Sequence, residues 1–80
     1  MKTVKIRLSS IEAVRDFVEI VRKYDSEVDL SSGRYVVDAK SIMGIFSLDL
    51  SKPLELRIIS DDENEISDVL GKIERFIVSE

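Results

Sequence analysis

The chain contains no cysteine and no histidine among its 80 residues. Without thiols there is neither a disulfide framework nor a thiolate metal site, which suits a reducing compartment. The missing histidine excludes more, because it removes the commonest general base, metal ligand and phosphoryl-accepting nucleophile. The short chain leaves no room for a second core, so a single domain over 1–80 without a deep cleft is expected. Proline occurs once, at Pro53, and no repeat or low-complexity stretch interrupts the chain. No window approaches the length of a membrane span, and the start, "MKTVKIRLSS", lacks the apolar run of a signal peptide. Acidic residues outnumber basic ones 16 to 12, for a formal charge of −4. The basic residues do not cluster, which argues against nucleic acid as a partner. The expectation is a soluble cytoplasmic protein, monomeric, with no nucleic-acid or membrane partner and no cofactor or metal.

What the chain does have is clear periodicity. Val4, Ile6 and Leu8 alternate with polar residues, the pattern of a strand with one buried face. Ser9, with Glu12 three residues on, reads as a capping box that starts a helix whose buried stripe is Ile11, Val14, Phe17, Val18 and Val21. Val28 and Leu30 return to period two, and Gly33 within "SSGR" suits a tight hairpin leading to Tyr35, Val36 and Val37. A short helix capped by Ser41 and weakened by Gly44 follows, then a loop over 49–53. Leu54, Leu56 and Ile58 mark a fourth strand. Asp61, Asp62 and Glu63 open a last helix, favourably for its dipole, with a stripe of Ile66, Val69, Leu70, Ile73, Phe76 and Ile77. The order β-α-β-β-α-β-α predicts an α+β fold, an open-faced β-sandwich with a four-stranded, mostly antiparallel sheet and helices on one face.

This topology, with "KYD" at 23–25, "AKSIMGIFSL" at 39–48 and "DEN" at 62–64, resembles HPr, the histidine phosphocarrier family of the bacterial sugar phosphotransferase system. Lys40-Ser41-Ile42-Met43-Gly44 is similar to the regulatory serine segment of HPr in low-GC Gram-positive bacteria. The resemblance implies that Ser41 matches the serine phosphorylated by an ATP-dependent HPr kinase, and that Ile42, Met43 and Phe46 match a partner-docking patch. Where the family carries a Gly-x-His-Ala-Arg-Pro type loop, this chain reads Leu8-Ser9-Ser10-Ile11-Glu12-Ala13-Val14. Ser9 and Ser10 thus occupy a degenerate active-site position. A serine phosphoester is stable where a phosphohistidine is a labile donor, so neither serine can run the relay.

Each candidate also has a plainer reading. Ser41 is a good N-cap whether or not a kinase meets it, and Lys40 beside it would favour a phosphate there. Along the short helix, Ile45 and Leu48 are expected to point inward and Ile42, Met43 and Phe46 outward, as a patch for a partner. No base stands beside Ser9 or Ser10 in sequence, so no catalytic residue is assigned. Asp61, Asp62, Glu63 and Glu65 lack the spacing and glycine of a calcium loop and read as helix-start charge. The leading reading is a non-catalytic HPr-like regulatory protein that binds HPr kinase/phosphorylase or a transcriptional regulator, with Ser41 switching the contact. Its rivals are a true phosphocarrier in sugar transport and a small homo-oligomeric module that self-associates through the same apolar strip.

Overall fold

The computed structural model describes residues 1–78. Strands β1 (Lys2–Ile6), β2 (Glu27–Ser32), β3 (Tyr35–Asp38) and β4 (Leu54–Ile59) alternate with helices α1 (Ile11–Val21), α2 (Ile42–Phe46) and α3 (Glu63–Lys72), and a 3-10 turn, Glu74–Phe76, follows α3. The strands form one antiparallel sheet in the order β1-β4-β2-β3, and the helices cover one face of it. This is the open-faced α+β sandwich expected from the periodicity.

Register decides which residues meet the helices. Ile6 lies opposite Leu54, Val28 opposite Ile58, and Leu30 opposite Leu56, and all six are buried. Successive side chains point to opposite faces, so Lys5, Glu55, Asp29 and Arg57 line the uncovered face. There Arg57 donates to Asp29 directly across the strands at 2.8 Å. That pair is partly exposed and worth about 1 kcal/mol or less. It marks the register more than it stabilises it, since a one-residue slip would turn the whole apolar set outward.

The helices complete the core with Val14, Phe17, Val18 and Val21 from α1, Ile45 from α2 and Val69 from α3. Phe17 meets Phe76 edge to face, ring centroids 6.0 Å apart at 87°, the geometry that the ring quadrupoles favour. The buried side chains among the described residues are all hydrophobic. Among the same residues, no helix is long and apolar enough to cross a membrane.

Three local expectations are corrected. Ser10, not Ser9, caps α1, accepting from the Ala13 amide at 3.0 Å; the strand-to-helix turn is one residue longer than the capping-box spacing implied. Ile11 is exposed, not buried, because it sits in the first turn, beyond the point where α1 is covered. The last helix stops at Lys72, and the rest of its apolar stripe is carried by the 3-10 turn and the segment after it. That segment pairs with β1: the Arg7 amide donates to Phe76 at 2.8 Å and the Val78 amide to Lys5 at 2.9 Å, with Ile77 bridged to Ile6. The outer edge of β1 is thereby covered. At the hairpin, Gly33 has φ +61° and is followed by Arg34 at negative φ, the pattern of a two-residue II′ turn that matches strand twist.

Polar ties lock α3 to the turn after α1. The Tyr24 hydroxyl donates to Asp68 at 2.5 Å, and Ser26 donates to Glu65. The bond to Asp68, helped by desolvation and the negative charge of Asp68 and Glu65, pushes the Tyr24 pKa up to about 12.

Two outcomes follow from this packing. Phe17→Ala should destabilise the fold by about 3–5 kcal/mol in chemical denaturation, since it removes the ring from both sheet and Phe76. Raising the pH should weaken the fold through Tyr24, because between the usual phenol value of about 10 and the folded value the native state holds a proton that the unfolded chain releases. That contribution is whole below pH 10 and is lost as the pH climbs through about 12. In a Tyr35→Phe background, phenolate absorbance should titrate Tyr24 alone, and Asp68→Ala should bring its midpoint down toward the ordinary value.

Candidate functional site

The segment 38–51 is built outward from the sheet. Asp38 ends β3 and turns the chain, its carboxylate accepting from the Lys40 amide at 2.8 Å and its carbonyl from the Ser41 amide at 3.0 Å. Ala39, fully buried, donates its amide to Val28 at 2.8 Å and pins the turn to β2. Ser41 then stands in extended geometry as the N-cap of α2, its Oγ accepting from the Gly44 amide at 3.1 Å. Gly44 has a reason beyond turn-making. A Cβ there would lie 3.2 Å from Ser41 Oγ and 3.3 Å from Val37 Cβ, so the missing side chain lets α2 rest on β3, which outweighs the helix propensity it gives up.

α2 separates its residues by face. Ile45 is fully buried and Leu48, just past the helix, nearly so, while Met43 is 80 % exposed and Phe46 41 %. Ile42 lies between these limits, packed against the rim of the core. After the helix, Asp49 accepts from the Ser51 hydroxyl at 2.6 Å and its amide at 3.0 Å. Those bonds, with Lys52 nearby, hold the Asp49 carboxyl below its ordinary range.

Lys40 is engaged elsewhere. Its ammonium donates to the Tyr24 carbonyl at 2.6 Å, and its own carbonyl accepts from Arg22 Nε at 3.1 Å. Lys40 thus ties the end of α1 to the start of α2, and Arg22 is the cation beside the peptide that leads into Ser41.

The turn between β1 and α1 lies next to this surface. Ser9 and Ser10 are exposed, and together with Leu8, Ile11, Phe46, Leu50 and Ser51 they line one hollow. On their other side Arg7, Asp16 and Arg75 line a second. Both arginines there are engaged, Arg7 with the Ser51 carbonyl at 3.4 Å and Arg75 with Asp16 at 2.9 Å. Asp62 caps α3, accepting from the Asn64 and Glu65 amides at 2.9 and 3.3 Å; the acidic run thus has a structural task.

Ile11 is the residue that sequence reasoning missed at this site. Its helical phase matches the buried stripe, yet its side chain faces the hollow beside Phe46. The exposed apolar surface therefore runs from Met43 across Phe46 to Ile11. The local signal was Ser10: a cap one residue later puts Ile11 first in the helix.

Comparison with known proteins places this geometry. A family model, the PTS HPr component phosphorylation site, matches residues 11–79. The crystal structure of HPr-C-His from Thermoanaerobacter tengcongensis is similar at a TM-score of 0.74 and 33 % identity, with 92 % of each chain covered. The HPr dimer from the same organism matches at 0.61 and 28 %, over 94 % of each chain. Crh from Bacillus subtilis, crystallised as a swapped, intertwined dimer, shares the fold at 0.65 and 23 %, over 92 % of this chain and 88 % of its own. These dimers overturn the expectation of a monomer. Apolar surface is exposed at the sheet edge too, at Tyr35 and Val36. A matching model over most of the chain, and a third of the residues shared with an HPr across the whole fold, make this chain a member of the HPr family of the phosphotransferase system.

Proposed function

We propose that this chain is a non-catalytic, regulatory HPr-like protein of the cytoplasm that acts by binding another protein and does not carry phosphohistidine. The observation that carries this reading is the absence of histidine from the whole chain. At the position where the family resemblance puts the phosphorylated loop stand Ser9 and Ser10. Ser10 spends its hydroxyl oxygen on the helix cap, and the Asp16 carboxylate in the hollow beside the two serines is engaged by Arg75.

The binding surface in this reading is Ile42, Met43 and Phe46, extended by Ile11, with Lys40 holding α2 in place. Exposed apolar clusters on a small domain favour a partner because they are costly to leave in water. Ser41 is the switch. A phosphate there would add about two negative charges at the start of α2, beside the strip and near Arg22. The change would alter which partner surface fits, while the Gly44 amide keeps an oxygen to bond.

Three measurements test this. An HPr kinase with ATP should add one phosphate to the wild type and none to Ser41→Ala; an unlabelled wild type would sink the switch. Phosphoenolpyruvate and the general phosphotransferase that feeds this pathway should leave the chain unlabelled, and labelling would restore the phosphocarrier reading. Met43→Ala combined with Phe46→Ala should weaken binding of a captured partner by about tenfold or more. Neither side chain belongs to the buried core, so the loss of thermal stability should be smaller than that of Phe17→Ala.

A further inference from the structure

The sheet has two edges, and they are treated differently. β1 is covered by the segment after α3, through the bonds of Arg7 to Phe76 and Val78 to Lys5. β3, the other edge, carries exposed Tyr35 and Val36, 74 % and 57 % accessible. Its hydrogen-bonding phase is set by the two-residue turn and by the Ala39 amide bonding Val28. In an antiparallel pair bonded and non-bonded positions alternate, so Tyr35 and Val37 exchange bonds with β2 while the amide and carbonyl of Val36 face outward. Among the described residues no backbone bond reaches Val36 from outside the sheet. An open edge of this kind is a template for another strand.

The sequence of the edge specifies which strand. Arg34 and Asp38 lie two residues to either side of Val36, with opposite charge. If β3 meets a second β3 antiparallel about a two-fold axis at Val36, each Arg34 falls opposite the other chain's Asp38, Tyr35 falls opposite Val37, and Val36 meets its own copy. The arrangement is self-complementary, as an isologous contact must be. Among the described residues Arg34 forms no ion pair, whereas Asp38 keeps one carboxylate oxygen beyond the one bonded to Lys40. We propose that β3 is a homodimerisation edge, joining two copies of this chain into a continuous eight-stranded sheet by addition of intact edges and without exchange of strands.

Sedimentation over a concentration series tests this. Wild type should self-associate reversibly. Arg34→Asp and Asp38→Arg, each of which sets like charges opposite one another, should each weaken association by about tenfold or more. An equimolar mixture of the two variants should regain it, because every facing pair is again of opposite sign. Circular dichroism identifies a variant lost to misfolding. An independent check uses the absence of native cysteine: paired Val36 positions would bring Cα atoms to about 5.5 Å, within disulfide reach. Val36→Cys should oxidise to a covalent dimer, and Ile59→Cys, exposed on β4 away from this edge, should not. Wild type that stays monomeric at millimolar concentration, or association that ignores both charge reversals, would overturn the proposal. So would a Val36→Cys chain that fails to cross-link, and in that case domain swapping becomes the mode to test.

Discussion

Everything in this structure depends on one apolar layer between a four-stranded sheet and the helices on one side of it. β1, β2 and β4 are amphipathic by alternation and the two long helices by their stripes, so neither layer survives in water without the other. Leu54, Leu56 and Ile58 on β4, the strand between β1 and β2, anchor the sheet side. Val14, Phe17, Val18 and Val21 close over them from α1. The open face carries mostly polar residues, with the pairing of Arg57 and Asp29 among them.

The proposed binding surface lies at the rim of that layer, where an element is too short to be buried on all sides. α2 has five residues, below the length at which a helix holds itself together. It is held instead by the Ser41 cap, by Ile45 and Leu48 in the core, and by the close approach that Gly44 permits. One face is thereby committed to packing, and Met43 and Phe46 are left over. Capping and packing alone account for Ser41 and Ile45, whereas Met43, Phe46 and Ile11 keep apolar surface exposed outside the core, which is why the proposed binding role rests on them.

Much of this was legible beforehand. Strand and helix order, the hairpin at Gly33, the Ser41 cap and the inward turn of Ile45 and Leu48 all follow from local chemistry acting over a few residues. The errors share a cause. Ile11 fits the helical stripe by angle, and Ser9 fits a capping box by spacing, but where the strand ends and which turn of α1 is covered depend on residues distant in sequence. Likewise the stripe from Ile66 to Ile77 is periodic throughout, yet its end is drawn out along β1 because that edge offers backbone partners. The expectation of a solitary chain failed for a related reason, since an edge strand is defined only by the absence of a neighbour.

Composition and short-range spacing set the chemistry available and the local elements: no histidine to carry a phosphoryl group, alternation and stripes that dictate faces, and caps that start helices. Those are properties of single residues and their near neighbours. What each residue faces was settled by the packing of the sheet against the helices. That packing set Ile11 beside Phe46, turned Lys40 toward Tyr24 and away from Ser41, covered one sheet edge and left the other open. The physical reason is that exposure and partnership are properties of pairs far apart in the chain, and the order β1-β4-β2-β3 settles those pairs, which no local pattern records.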